Sequence, residues 1–102
     1  MRTQGATWFP LADDPQGAER AFANPDGVVA HASALDPASD GLRIKPTAAG
    51  DALAFFNFDA DGAPDPWALH AGLEVAANEE KWIGTHFFSH PKLCCGYEGY
   101  VL

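Results

Sequence analysis

Between Leu42 and Phe88 the apolar residues come in short runs separated by turn-prone stretches, and this pattern reads as four β segments converging on one histidine, His70. Leu42-Arg43-Ile44-Lys45 alternates apolar and basic side chains, the period of a half-buried strand, and Pro46 ends it. Ala52 to Phe58 is apolar on both alternations, which predicts a central strand. Trp67 to Val75 predicts a bent strand carrying His70, with Gly72 as a bulge or a point of close approach. Lys81 to Phe88 resumes strict alternation: Lys81, Ile83, Thr85 and Phe87 share one face, and Trp82, Gly84, His86 and Phe88 the other.

Upstream, Thr7-Trp8-Phe9 is a short β-prone run closed by Pro10. From Leu11 to Asp40 the chain is rich in Ala, Asp, Pro and Gly, which predicts a long loop or insertion with one helical turn at Gln16 to Phe22 and a turn at Pro25-Asp26-Gly27. Asp51 reads as a turn residue, and residues 94–102 form a tail with no clear period and no assigned role. The sequence shows no internal repeat or heptad, so the expected fold is all-β, of the sandwich or barrel kind.

At 102 residues the chain has room for a single core. Acidic residues exceed basic ones by eight and no Lys/Arg cluster tracks a phosphate backbone, which disfavours nucleic acid as a partner. No apolar run approaches the roughly 20 residues needed to span a bilayer, and the first residues lead into no signal-like apolar core. Adjacent Cys94 and Cys95 seldom meet ordinary disulfide geometry, so they leave the compartment open.

Taken together, Gly41-Leu42-Arg43-Ile44-Lys45-Pro46, Gly50-Asp51-Ala52-Leu53, Phe55-Phe56, Asp61-Gly62, Leu69-His70-Ala71-Gly72 and Lys81-Trp82 resemble the C-terminal half of a prolyl 4-hydroxylase domain, a family of iron(II)- and 2-oxoglutarate-dependent dioxygenases. Gln4-Gly5-Ala6-Thr7-Trp8-Phe9-Pro10 resembles the family's Gly-Gly-Glu-Thr-x-Phe-Pro segment, which lies earlier in that domain. The resemblance implies a partial double-stranded β-helix, a jelly roll related to the cupins, over residues 1–93 with its strongest match at 41–88. Only about five strand candidates are present where a complete member needs about eight, so apolar faces and sheet edges should stand open unless something, such as a partner chain completing the barrel, covers them.

The resemblance also implies site residues. Non-haem iron in such oxygenases is held by two histidines and one carboxylate, which leaves positions open for the cosubstrate and O₂. By resemblance His70 is the second histidine, Lys81 pairs with the far carboxylate of 2-oxoglutarate, and Thr7 lies beside that carboxylate with a hydroxyl to donate. Fe(II), 2-oxoglutarate, ascorbate and a proline-containing peptide or protein substrate follow from the same source. Taken alone, His70 reads as a structural histidine, Lys81 as a solvated strand-end lysine and Thr7 as a β-branched strand residue.

The chain departs from the family pattern in several places. Leu73-Glu74-Val75 stands where Cys-Pro-Val is usual, Ala6 replaces an acidic residue, Phe87 replaces a tryptophan, and the loop before Lys81 is one residue longer. His-x-Asp, the motif of the first two ligands, occurs nowhere, and His31, Asp36, His86, His90 and Asp51 do not replace it. The expected chain is therefore a domain truncated before those ligands, or else a non-catalytic fragment or interaction module that keeps part of the fold. A competing motif, Asn57-x-Asp59-x-Asp61-Gly62, resembles the start of a calcium loop, but Ala68 stands where the bidentate Glu is required, so an acidic hairpin turn is the better reading.

Overall fold

The computed structural model describes residues 4–14, 16 and 25–88. Residues 17–22 of the expected helical turn, His90, the cysteine pair and the rest of the tail lie outside the described residues. The centre is an antiparallel sheet of three strands in the order β2-β1-β3: β1 Thr7–Phe9, β2 Leu42–Ile44 and β3 Ala71–Gly72.

The β-branched and aromatic residues of Thr7-Trp8-Phe9 favour a pleated backbone, and both edges of β1 are used. On one side Thr7 faces Ile44 and Phe9 faces Leu42; on the other Thr7 faces Gly72 and Trp8 faces Ala71. The pairing with β3 runs on through Gly5 N–H to Glu74 O at 2.8 Å and Leu73 N–H to Ala6 O at 2.9 Å. Trp8 and Phe9 are buried, and the Trp8 indole N–H donates to Asp40 O at 2.7 Å. The same carbonyl accepts from Arg43 at 2.7 Å, so the approach to β2 is tied to the central strand.

Residues 11–40 are not wholly a loop, because a helix, α1, spans Pro25–Ser33. Proline is well placed at a first helical position, where its missing N–H is not needed, so Pro25-Asp26-Gly27 begins a helix rather than a turn. Val28 and Ala32, four residues apart on one face, pack with Leu11 into a small core flanked by Leu35 and Leu69. Beside it His31, in the last turn, lies 3.3 Å from the Asp14 carboxylate.

Three of the expected strands are corrected. Ala52 to Phe58 joins no ladder among the described residues beyond a single bridge between Phe58 and Pro64; Phe55 instead packs its ring on Phe9 and His70. Trp67 to Val75 opens instead with a 3₁₀ turn, Pro66–Ala68, since the Asp65 carboxylate caps Trp67 N–H at 2.9 Å and Pro66 supplies a ready-set φ at the first position. Only Ala71 and Gly72 then pair as a strand, and Gly72 sits in regular register, neither bulged nor closely approached. Lys81 to Phe88 forms no ladder either, although the rings of His86 and Phe88 meet at 4.5 Å on one side, as alternation requires.

Antiparallel pairing with little helix is compatible with an all-β class. Several large aromatics stand in solvent, Phe56 at 87%, Trp82 at 88% and Phe88 at 88% exposure.

The turns match their sequence signals. Asp59 accepts from Asp61 N–H at 2.9 Å and Ala63 N–H at 3.0 Å, while Asp65 N–H reaches Asn57 O at 2.8 Å, so this is an acidic hairpin turn built on its own carboxylate. Asp51 likewise closes the turn after β2 by accepting from the Thr47 hydroxyl at 2.8 Å, Thr47 N–H at 2.9 Å and Ala48 N–H at 3.0 Å. These bonds, that of the Thr47 hydroxyl foremost, hold the Asp51 carboxyl below its ordinary range. Because the folded value is the lower one, the contribution of these bonds is present above the ordinary aspartate value and is lost as pH falls through the lowered one. In a carbon-detected NMR titration Asp51 is expected to titrate below the ordinary aspartate value, and Thr47→Val to move it back; an unchanged midpoint in Thr47→Val would count against this account.

Candidate functional site

The site is built where β3 leaves the 3₁₀ turn. The register of β1 with β3, carried on one pair from Trp8 opposite Ala71, sets Phe9 opposite His70. Directly opposed residues of an antiparallel pair project to the same side, as do residues two apart on one strand. Thr7, Phe9, His70 and Gly72 therefore share one face of the sheet.

His70 is held on that face by three contacts. Its Nδ1 lies 2.9 Å from the Ala68 carbonyl, an acceptor, so Nδ1 carries the proton and donates. Its ring lies 5.6 Å from that of Phe9 and 4.7 Å from that of Phe55, edge to face with the latter at 71°. Phe55 and Phe9 meet in turn at 5.1 Å and 82°. In the neutral ring, a proton fixed on Nδ1 leaves the Nε2 lone pair available, the arrangement by which a second partner prepares a histidine to bind a metal.

Lys81 approaches from the other end of β1. A Cβ built on Gly5 would lie 3.8 Å from Lys81 Cδ, so the lysine stem runs beside Gly5, in the turn that leads into β1. Lys81 is half-buried, and its ammonium makes no hydrogen bond or ion pair among the described residues. The Thr7 hydroxyl is likewise half-buried without a hydrogen bond among them. On the far side of His70, an open groove of about 460 Å³ is walled by Val28, Val29, Pro64, Pro66 and Leu69.

Among the described residues no three His, Cys, Asp or Glu side chains come together. His31 faces Asp14, Asp36 accepts from its own turn at Ala38, and Asp51 closes the turn after β2. His70 thus offers one imidazole nitrogen, and no second histidine or carboxylate joins it among the described residues. Sequence reasoning missed Phe9, Phe55 and the Ala68 carbonyl as the neighbours of His70; the Asp65-Pro66 cap was the one local signal that the backbone turns just before it.

Comparison with known proteins finds prolyl 4-hydroxylases. Prolyl 4-hydroxylase 2 of Arabidopsis thaliana is 46% identical over 50 residues, and Probable prolyl 4-hydroxylase 4 of the same plant is 48% identical over 50; each alignment takes in 49% of this chain and 16% of the relative. Prolyl 4-hydroxylase 1 of A. thaliana is 36% identical over 81 residues, 79% of this chain and 23% of the relative. The chain carries a prolyl 4-hydroxylase-like region. That region spans only about a sixth to a quarter of the length of these curated relatives. No protein-family model and no solved structure matches the prolyl 4-hydroxylase-like chain. No helix among its described residues is long and apolar enough to cross a membrane.

Proposed function

We propose that the prolyl 4-hydroxylase-like region is one part of an iron(II)- and 2-oxoglutarate-dependent dioxygenase site that hydroxylates proline within a peptide, belonging to a double-stranded β-helix whose other strands and ligands come from polypeptide outside these residues. The observation that carries the reading is the Nδ1 contact of His70 with Ala68 O, which leaves the Nε2 lone pair available to a metal. In this reading His70 supplies one ligand. Lys81 pairs with the far carboxylate of 2-oxoglutarate, Thr7 donates to the same group, and the apolar groove beside His70 receives the prolyl chain. Bound iron supplies O₂ activation, with ascorbate as the reductant that keeps it ferrous. An ammonium without a protein partner is suited to a dicarboxylate, because a half-buried charge is costly until it is paired.

The alternative reading, a module that binds a partner without catalysis, is favoured by the exposed aromatics Phe56, Trp82 and Phe88. Anaerobic titration of the whole chain with iron(II) and 2-oxoglutarate separates the two. The dioxygenase reading expects the ring protons of His70 to broaden at lower metal concentration than those of His31 and His86, and the difference to vanish in His70→Ala. Lys81→Ala is expected to leave that response to iron alone while raising the 2-oxoglutarate requirement about tenfold, the equivalent of losing one hydrogen bond to a charged group. Equal broadening of all three rings in the wild-type chain would overturn the reading. Peptide-dependent succinate formation, lost when the prolines of the peptide are replaced by alanine, tests the substrate.

A further inference from the structure

We propose that Phe55 is a positioning residue for His70: its ring holds the imidazole in the orientation that keeps Nδ1 on Ala68 O and leaves Nε2 without a partner among the described residues. The inference rests on the reading of His70 as a ligand.

Ala71 and Gly72 are held by β1, but His70 lies just outside the ladder and its side chain is exposed, so the backbone alone does not settle its ring. Rotation about the Cβ–Cγ bond would exchange the two edges of the ring and release Nδ1 from Ala68 O. Phe9 is buried at 5% exposure within the central strand and forms a fixed base. Phe55 stands edge to face on that base at 5.1 Å and on the imidazole at 4.7 Å, so its ring spans the buried strand and the exposed histidine. Edge-to-face pairs have a preferred geometry, and turning the imidazole disturbs this one together with the hydrogen bond to Ala68. Phe55 belongs to an extended segment with no ladder partner of its own, so packing against Phe9 and His70 is what places it.

The test reads the tautomer directly by nitrogen-15 NMR of the His70 ring in the whole chain, with the iron(II) broadening as a second readout. Wild type is expected to carry the proton on Nδ1. Phe55→Leu and Phe55→Met, which keep apolar bulk but lose the ring, are expected to shift the ratio of the two tautomers about fivefold towards Nε2–H, roughly the loss of one ordinary hydrogen bond. The iron concentration that half-broadens His70 should rise by a similar factor while His31 and His86 stay unchanged. Phe55→Tyr is expected to restore the wild-type ratio, and Phe56→Leu, at the exposed neighbouring position, to leave it untouched. An unchanged ratio in both Phe55→Leu and Phe55→Met would overturn the proposal. If wild-type His70 shows no preference for iron, the ligand reading fails, and the tautomer ratio still decides the positioning role.

Discussion

Gly41→Ala is expected to abolish the sheet, at a cost of about 2–5 kcal/mol from the left-handed backbone and the steric overlap together. Gly41 has φ +72°, a conformation an L side chain enters only at a cost. It also lies against the turn out of β1: a Cβ there would stand 2.7 Å from Pro10 Cα, 2.8 Å from Pro10 O and closer still to Phe9 O. Each of these atoms is backbone of the central strand or its turn, so no flexible side chain can give way. The register explains the crowding, since Phe9 faces Leu42 and Gly41 must pass directly beside Pro10. Gly50→Ala is the control. Its φ is +94° but a Cβ there meets nothing within 4 Å, so only the conformational part, about 1–2 kcal/mol, is expected. Urea midpoints and hydrogen exchange at the Trp8 and Phe9 amides measure both variants. Equal destabilisation would show that the contact with Phe9 and Pro10 contributes nothing.

The same glycine shows what could be seen in the sequence. Gly41 was visible as part of the run that ends at Pro46, and Leu42 to Ile44 as a strand, because propensity and alternation are local. Its reason for being glycine was not visible, because that lies in a strand thirty residues upstream. Ala52 to Phe58 misled for a related cause: a run apolar on both faces states that it can be covered, not that its backbone pairs. In the structure the three-stranded sheet is β2-β1-β3, and Phe55 packs by its ring rather than in a ladder. Helix α1 had a legible signal in the spacing of Val28, Ala32 and Leu35, which its opening Pro-Asp-Gly outweighed.

At the candidate site the sequence reading named His70, Lys81 and Thr7 by resemblance. The structure adds a shared face for Thr7 and His70 and brings the lysine stem beside Gly5, in the turn before that strand. The aromatic cluster around His70 is a long-range feature, joining β1 to a segment more than forty residues later, and no local pattern announces it.

Gly72→Val is expected to leave the fold intact, or to stabilise it by up to about 1 kcal/mol, and yet to weaken the response of the site to 2-oxoglutarate at least about tenfold. Nothing among the described residues requires a glycine at position 72: its φ is not positive, it sits in regular register, and, as at Gly84, a Cβ there meets nothing within 4 Å. Valine suits a strand better than glycine does, which sets the sign of the stability change. Its side chain would project on the face it shares with His70, directly opposite Thr7, where paired Cβ atoms lie about 5 Å apart. In the proposed reading that is the space the 2-oxoglutarate carboxylate enters to accept from the Thr7 hydroxyl while reaching Lys81. In the anaerobic titration the variant is expected to need at least about tenfold more 2-oxoglutarate for the same effect at His70, although its ring contacts with Phe9 and Phe55 are untouched. A stable variant that binds as well as wild type would show that the cosubstrate does not use this face and would detach Thr7 from the site. A stable variant that has lost binding would give Gly72 the role of keeping that space clear, a role written in what the residue lacks rather than in any contact it makes.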